Sequence, residues 1–377
     1  MTTTIHLSGP ADVLAVLPYQ LGFHPHDCLV VVSLHGTRMG LVQRLDLPPP
    51  GHVDEAVAAM IAPLRQEDPR SVLLIGFEER ECESRAMLDE MANACTADGV
   101  QVADRMVVRG GRWFELDCTQ SWCPPEGLPL PAPSGVSAVA EFVGREIYPL
   151  ADRSALADQL EPSRPLLSRQ VLRLADERLQ LRQEATNTQD SEPSTPGTEQ
   201  TRGEKHLHRF RASELALWSL VLCGRDDAEP IRTLPAQDLA MLAVSLTDVD
   251  LRDGLIGWLC PGTLPKNLID PLLFQQMARA LPGPPWLEGG AADTARALGL
   301  QRIERRLCEL SAALPDVWAV PTLTVLASFT WWRGDGALTR IALDRALRAQ
   351  PQYRLARLLE RMVDLAIRPE RASFDLC

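Results

Sequence analysis

Residues 28–45 decide the fold of the first third of the chain, and they read CLVVVSL at 28–34, HGTR at 35–38 and MGLVQRL at 39–45. Two strand-like runs, the first of them rich in valine, flank a short segment that contains glycine. This pattern predicts a β-hairpin with Gly36 and Thr37 in a two-residue turn.

The open end of this hairpin carries the first candidate site. With a two-residue turn, His35 pairs with Arg38, and counting outward places Asp27 opposite Asp46 with Arg44 on the same face, opposite Leu29. Opposed carboxylates destabilise a sheet unless a cation lies between them, and Arg44 supplies that cation. Two interpretations stay open: a structural ion network, which we favour because charges at strand ends usually anchor turns, and a catalytic or metal-binding carboxylate pair.

The remainder of the first third alternates between helical and extended patterns. A helix is predicted over 11–17, disturbed by Pro18, and amphipathic helices over 53–65 and 82–97. Apolar runs predict further strands at 71–77, 100–108 and 112–116. The order ββαβαββ predicts an α/β domain with a mixed sheet of about five strands and helices packed on it.

Composition predicts where this domain ends. A proline-rich stretch up to Ser134-Gly135 indicates a boundary, so residues 1–134 form the α/β domain and 135–183 a helical segment. Residues 184–206 are rich in Ser, Thr, Pro, Glu and Gln without an apolar run, which predicts a disordered linker. Residues 207–377 are predicted to be an all-α domain, and the chain is helix-rich overall.

Seven helices are predicted in this last domain, at 212–223, 236–259, 268–281, 294–314, 323–332, 337–349 and 352–367. The final part carries half of a tetratricopeptide pattern: Gly334 at a turn between helices, Leu343 and Ala346 on the second helix, and Pro351 beyond it. The pattern predicts one repeat-like helical hairpin.

The net charge of the chain argues against some classes of function. The 377 residues carry 38 basic and 50 acidic side chains, for a net charge of −12. Residues 1–134 hold 9 basic and 18 acidic side chains, whereas residues 207–377 hold 20 of each. This acidity argues against a protein whose whole surface coats nucleic acid or an anionic membrane. No apolar run approaches the roughly 18 residues that span a bilayer.

The second candidate site is a basic helix face near the end of the chain. Arg354, Arg357 and Arg361 follow the spacing i, i+3, i+7 within a stretch, 340–371, that has a local excess of arginine. The simpler interpretation is a solvent-exposed face whose positive charge is partly balanced by neighbouring Glu and Asp residues. The functional one is a partner-binding surface for an acidic protein, for RNA phosphates or for the acidic first domain.

Metal and cofactor motifs are weak. His24-Pro25-His26-Asp27 lacks further ligands at zinc spacing, and Cys118 and Cys123 lack a second pair. Phosphate-loop, dinucleotide-binding, nucleophile-elbow and zinc-protease motifs do not occur. We therefore expect no cofactor and no metal. The nine scattered cysteines predict reduced thiols and, with no visible signal peptide, a cytoplasmic location.

Several segments resemble the bacterial domain-of-unknown-function family 4192. They are SGPADVL at 8–14, LPYQLGF at 17–23, CLVVV at 28–32, RLDLP at 44–48, WRGDGA at 332–337 and ALDRAL at 342–347. The resemblance covers nearly the whole chain and implies a bacterium with a GC-rich genome, in agreement with 36 arginines against two lysines, Lys205 and Lys266. It implies no activity, so no functional residue is carried over. His24 and His26 depart from the family pattern.

Two functions remain as hypotheses for a soluble protein. The first is a non-enzymatic interaction or regulatory module that presents its helical half to a protein partner. The second is an enzyme of unrecognised type with Asp27, Arg44 and Asp46 at the end of the sheet. The missing motifs favour the first, although catalytic groups need not be adjacent in sequence.

Overall fold

The computed structural model describes residues 9–36, 38–118, 123–187, 202–265, 268–283 and 293–367. By Cα proximity the chain divides into two compact units, mainly Thr2–Arg153 and Ser154–Val363. That the α/β domain spans residues 1–134 stays a prediction. Among the described residues, no helix is long and apolar enough to cross a membrane.

The first unit contains a six-stranded mixed sheet in the order β2-β1-β3-β4-β5-β6. The strands β3 and β4 are parallel, and the other neighbouring pairs are antiparallel. In chain order the elements are α1 (Pro10–Leu21), β1 (Cys28–His35), β2 (Arg38–Asp46), α2 (Val53–Glu67), β3 (Ser71–Phe77), α3 (Arg85–Ala97), β4 (Gln101–Arg109), β5 (Arg112–Glu115), β6 (Leu128–Pro129) and α4 (Ser137–Val143).

The predicted mixed sheet with packed helices is confirmed, with one strand more than expected. The additional strand β6 has only two residues and lies in the proline-rich stretch, where no alternating pattern marks it. The helix α1 continues through Pro18 to Leu21, because a proline removes one hydrogen bond but does not always end a helix.

Two apolar clusters hold this unit together. The first joins α2 and α3 to one face of the sheet through Leu64, Met91 and buried strand residues such as Leu74. The second joins α1 to α4, where the rings of Tyr19 and Phe142 lie 5.7 Å apart between centroids. The opposite face of β1 is buried as well, so β1 is a central strand.

The register of the β1–β2 hairpin follows the prediction only near its turn. His35 pairs with Arg38 as predicted, and Gly36 has a φ of 66°; Thr37 lies outside the described residues. Beyond that point a β-bulge sets two residues, Gly40 and Leu41, opposite Ser33. The backbone N–H of Leu41 donates to Ser33 Oγ at 2.6 Å.

The bulge shifts the other end of the hairpin by one residue. Asp46 lies opposite Cys28 and Arg44 lies opposite Val30, so the predictions of Asp46 opposite Asp27 and of Arg44 opposite Leu29 are wrong. Counting outward from a turn assumes an unbroken ladder, and one inserted residue invalidates the count.

The second unit is helical, as predicted for the second half of the chain. Its helices are α5 (Arg153–Asp158), α6 (Pro165–Asn187), α7 (Arg202–Val221), α8 (Ala236–Ser245), α9 (Val249–Leu259), α10 (Pro271–Ala280), α11 (Asp293–Ala313), α12 (Asp316–Arg333), α13 (Gly336–Ala349) and α14 (Arg354–Asp364). The predicted linker lies largely outside the described residues. The helices α12 and α13 pack as a hairpin around Gly334, whose φ is 91°.

One predicted helix, 236–259, is divided into α8 and α9. Asp248 causes the break, because its side chain accepts a hydrogen bond from the backbone N–H of Leu251 and so begins a new helix. Oδ2 of the same carboxylate lies 2.8 Å from Arg211 Nε and 3.2 Å from Arg182 Nη2. Burial raises the pKa of Asp248, but the hydrogen bonds and charge of Arg211 outweigh burial and lower it overall.

Candidate functional site

Arg44 is the centre of the candidate site at the end of the sheet. It lies near the end of β2, its side chain is 11% exposed, and its Nη2 atom lies 2.6 Å from Asp46 Oδ1. Its guanidinium lies 5.8 Å from the ring centroid of the buried Phe23, and it donates to the carbonyl of His26 at 3.4 Å. The structure therefore brings two of the three predicted residues together as an ion pair.

Asp27, the third predicted residue, occupies the turn before β1. Its φ is 45°, a left-handed conformation that costs a non-glycine residue free energy. Its carbonyl accepts a hydrogen bond from the N–H of Leu47 at 3.0 Å, which fixes the end of β2, and its Oδ2 lies 3.6 Å from His26 Nδ1. Its side chain therefore contacts the imidazole of His26 and forms no ion pair with Arg44 among the described residues.

One hydrogen-bond donor in the cluster around Arg44 has no acceptor. Arg44 Nε is buried and has no hydrogen-bond acceptor among the described residues. Burial raises the pKa of the neighbouring Cys28 thiol to about 11, although Arg44 acts in the opposite direction. Cys28 therefore remains a neutral thiol at ordinary pH, and the cluster offers a cation rather than a nucleophile.

A second ion pair at the same end of the sheet, between Glu78 and Arg109, is not predicted from the sequence. Glu78 follows the parallel strand β3, is buried, and accepts hydrogen bonds from Ser84 N at 2.9 Å, Ser84 Oγ at 2.7 Å and Arg109 at 2.7 Å. It also accepts from the N–H of Cys82, so both carboxylate oxygens are occupied. The position directly after a buried strand is the signal that could have indicated it. Glu78 fixes the loop before α3 rather than binding a ligand.

The predicted basic face lies on α14. Arg354, Arg357 and Arg361 are exposed, whereas Ala356 and Leu359 of the same helix are buried. The Nη1 atom of Arg357 donates to Gln352 Oε1 at 2.9 Å. Neither Arg354 nor Arg361 is in an ion pair within the described part of the chain. The helix therefore presents its guanidinium groups to solvent.

A groove in the second unit begins at this basic face. It has a volume of about 760 Å³ and is lined by Val249, Arg252, Tyr353, Arg354 and Leu355 together with residues 349–352. Arg252 donates to the Tyr353 hydroxyl at 2.9 Å and lies 6.0 Å from its ring centroid. It also lies 2.7 Å from Asp253. The groove thus combines apolar walls with two guanidinium groups, one of them held in place by a neighbouring ring.

The basic patch is smaller than the sequence indicates. Arg345, counted in the local arginine excess, is buried and lies 2.9 Å from Asp316. Arg348 is exposed but lies 2.8 Å from Glu161. Sequence spacing places both on the same helix but does not reveal these partners, which are distant in sequence. The face open to a partner is therefore the one on α14.

One group of described residues has ligand atoms close enough to hold a metal ion, and the expectation of no metal stays a prediction. The ligand atoms of Glu115, Cys118 and Cys123 all lie within 4.8 Å of one another, whereas His24 and His26 belong to no such group among the described residues. The two cysteines form a disulfide, so the expectation of reduced thiols is wrong for this pair. Their Cα atoms are 6.4 Å apart, within the range that a disulfide spans. The other described cysteines are free: Cys28, Cys82, Cys95, Cys223, Cys260 and Cys308.

Comparison with known proteins gives one positive result. No curated protein and no solved structure matches the chain. A family model described as a domain of unknown function, DUF4192, matches residues 10–370, which is nearly the whole chain. The chain therefore belongs to the DUF4192 family.

Proposed function

We propose that this chain is a non-enzymatic interaction module whose groove beside α14 binds an acidic segment of a partner protein. The observation that carries the proposal is the exposed arginine face of α14 at the rim of an apolar groove. Arg354 belongs to both, since it lines the groove and begins the face. Arginine at the rim of an apolar pocket is typical of protein-binding surfaces.

The size and charge of the surface favour a short acidic peptide. Arg354 and Arg361 are seven positions apart on one helix, about 10 Å along its axis. Val249 and Leu355 supply apolar walls for side chains between the acidic ones. A nucleic acid would need a longer basic surface than the single arginine face of α14. A protein partner therefore fits the surface better than RNA.

The preceding helices support a finer version of this proposal. The helical hairpin of α12 and α13 leads into α14, and its sequence carries the tetratricopeptide-like positions Gly334, Leu343 and Ala346. Repeat-like helical hairpins commonly present a concave surface to extended peptides. We propose that the hairpin and α14 act in this way.

The test measures binding of a short fluorescent peptide of alternating Glu and Leu by fluorescence polarisation. Reversing two charges in Arg354→Glu/Arg361→Glu is expected to weaken binding at least about 10-fold, because charge-assisted hydrogen bonds are replaced by repulsion. The matched control is Arg169→Glu/Arg173→Glu, which makes the same charge change on the exposed part of α6. It is expected to bind like the unaltered chain.

Two results would overturn the proposal. One is equal loss in both double variants, which indicates a general charge effect. The other is tighter binding of a single-stranded RNA than of the peptide, with the same dependence on Arg354 and Arg361. Urea denaturation of each variant confirms that the unit is folded.

The second candidate function is an enzyme acting on an anionic substrate at the sheet end. One observation favours it: Arg44 Nε is a buried donor without an acceptor among the described residues, next to Asp46, and Arg44 Nη2 donates to the carbonyl of His26, the residue before Asp27. Arg44 would bind the negative charge of the substrate, and the two carboxylates would act as acid and base.

This candidate is tested with inorganic phosphate and acetate as probes. The NMR resonance of the Arg44 Nε–H group is expected to shift saturably, whereas that of Arg65, whose Nε atom already donates to Asp98 at 2.6 Å, stays in place. In a panel of phosphate and carboxylate esters, Asp27→Asn or Asp46→Asn should lower turnover at least about 100-fold. No saturable shift, or turnover unchanged in both variants, would exclude the enzyme.

A bacterial cytoplasmic location is a further part of the proposal. Six free cysteines among the described residues support a reducing compartment. Fractionation of the native bacterium, followed by immunoblotting, tests it. Recovery of the protein in the cell-envelope fraction would contradict it.

A further inference from the structure

The last strands of the first unit bring two sulfur atoms and two carboxyl groups together. Glu115 ends β5, Cys118 follows three residues later, and Cys123 Sγ lies 3.6 Å from Glu115 Oε2. All three side chains are partly exposed. A small cation therefore has access to the group from solvent.

Asp104 adds a second carboxyl group to this cluster. Its side chain is hydrogen-bonded to that of Glu115. Glu115 pairs with Met106 across the β4–β5 ladder, and Asp104 lies two residues from Met106 on β4. Asp104 and Glu115 therefore project from the same face of the sheet as diagonal neighbours.

The arginine next to Asp104 on β4 is paired with other carboxylates. Arg105 follows Asp104 on β4 and projects from the other face, where it lies 2.6 Å from Asp89 and 2.5 Å from Asp117. Among the described residues, neither Asp104 nor Glu115 forms an ion pair with an arginine.

We propose that the reduced chain binds a zinc ion through Cys118 Sγ, Cys123 Sγ and Glu115, with a solvent molecule as the fourth ligand and Asp104 beside Glu115. Zinc takes four ligands in a tetrahedron, with bonds of about 2.3 Å to sulfur and about 2.0 Å to oxygen, which puts sulfur and oxygen roughly 3.5 Å apart. The 3.6 Å between Cys123 Sγ and Glu115 Oε2 matches this separation. Two thiolates select zinc over magnesium or calcium, which prefer oxygen ligands.

The disulfide is the metal-free state of the same site. A dithiol reductant supplies two electrons and two protons, the Cys118–Cys123 bond breaks, and the reductant becomes a cyclic disulfide. Zinc then displaces one proton from each thiol, and these protons pass to solvent. Oxidation by diamide reverses the sequence: the two thiolates lose two electrons and form the disulfide, diamide takes up these electrons with two protons from solvent and becomes a hydrazine, and the zinc ion leaves.

The experiment titrates the full chain with cobalt(II), whose bonds to thiolate absorb in the near ultraviolet, and then displaces the cobalt with zinc. The chain is first reduced with dithiothreitol and freed of it under nitrogen. We expect one equivalent of cobalt with thiolate absorption, displaced by one equivalent of zinc, and none after oxidation with diamide.

Variants assign the ligands. Cys118→Ser/Cys123→Ser is expected to abolish the thiolate absorption. Glu115→Gln, which keeps both sulfurs, should weaken zinc binding at least about 100-fold, since loss of an outer hydrogen-bond partner alone costs 10–100-fold. The control Cys82→Ser/Cys223→Ser removes two free cysteines outside the site and should bind like the unaltered chain.

The proposal is overturned if the Cys118/Cys123 double variant keeps the absorption, if Glu115→Gln binds zinc as tightly as the unaltered chain, or if the oxidised chain binds equally well. Because a variant could misfold, thermal unfolding of each is compared in the absence of metal. Glu115→Gln, a nearly isosteric change at a partly exposed side chain, keeps the test decisive if the cysteine variant does not fold.

Discussion

Arg345 donates a hydrogen bond of 2.8 Å to the carbonyl oxygen of Ser311, near the C-terminal end of α11. It also donates to the carbonyls of Leu160 and Leu314, so one buried guanidinium satisfies backbone groups from separate segments. The last carbonyls of a helix have no partner within the helix. The arginine on α13 therefore acts as a side-chain cap for α11.

We expect Arg345→Met to destabilise the second unit by about 3 kcal/mol, because it leaves these buried carbonyls without donors. Urea denaturation followed by circular dichroism measures the change. The control is Arg348→Met, which removes the exposed pair with Glu161 and should cost less than about 1 kcal/mol. Equal losses in the two variants would contradict the capping role.

Glu304 should make the second unit less stable as the pH rises. Burial raises the pKa of Glu304 from 4.5 to about 7, and Asp335 adds to this while Arg333 opposes it. Between these values the folded chain holds a proton that the unfolded chain has lost. The contribution is therefore fully present below about pH 4.5 and is lost as the pH rises through about 7.

Glu304→Gln removes this dependence. The difference in melting temperature, variant minus unaltered chain, is expected to grow from pH 5 to pH 7. Differential scanning calorimetry across this range measures it, with the exposed Glu177→Gln on α6 as control. A difference that stays constant with pH would show that Glu304 ionises as freely in the folded as in the unfolded chain.

Gly76 should be intolerant of a side chain. A Cβ atom at this position of β3 would lie 2.2 Å from Ser84 Oγ and 2.6 Å from Ser84 Cβ, both in the buried loop that Glu78 fixes. We expect Gly76→Ala to cost about 2 kcal/mol or more in the free energy of unfolding of the first unit. Gly135→Ala, which meets nothing within 4 Å, is the control for chemical denaturation. A neutral Gly76→Ala would mean that the loop moves freely.

The bulge in the β1–β2 hairpin should depend on Ser33. In Ser33→Ala the backbone N–H of Leu41 loses its acceptor, at an expected cost of about 1–2 kcal/mol. Hydrogen exchange of the Leu41 amide should accelerate as well. Thr96→Ala, on an exposed helix position, is the control and should be neutral or slightly stabilising. Unchanged exchange at Leu41 would contradict the role of Ser33.

The sequence predicts elements well where the pattern is local. The run 71–77 is the strand β3 residue for residue, since a continuous apolar stretch bounded by polar residues has few alternatives. The strand β6 is missed because two residues carry no period. The bulge at Gly40–Leu41 is missed because it depends on a hydrogen bond to Ser33, across the hairpin.

The candidate sites are predicted only in part, for the same physical reason. Spacing on one helix finds Arg354, Arg357 and Arg361, because neighbours along a helix share a face. It does not find that Asp104 meets Glu115, since that contact depends on the register of two strands. Nor does it find the buried partners of Arg345, which are up to 185 positions away in the chain.

The two edges of the sheet differ in length but are both unsuited to pairing with another chain. One edge, β6, is two residues long and ends in Pro129, which has no N–H to donate. The other, β2, is interrupted by the bulge at Gly40–Leu41 and carries the charged Arg44. Bulges and charges at an edge prevent the growth of a sheet into fibrils. Neither edge therefore offers a partner a row of backbone groups to pair with, so the addition of a strand to this sheet is disfavoured both for aggregation and for recognition.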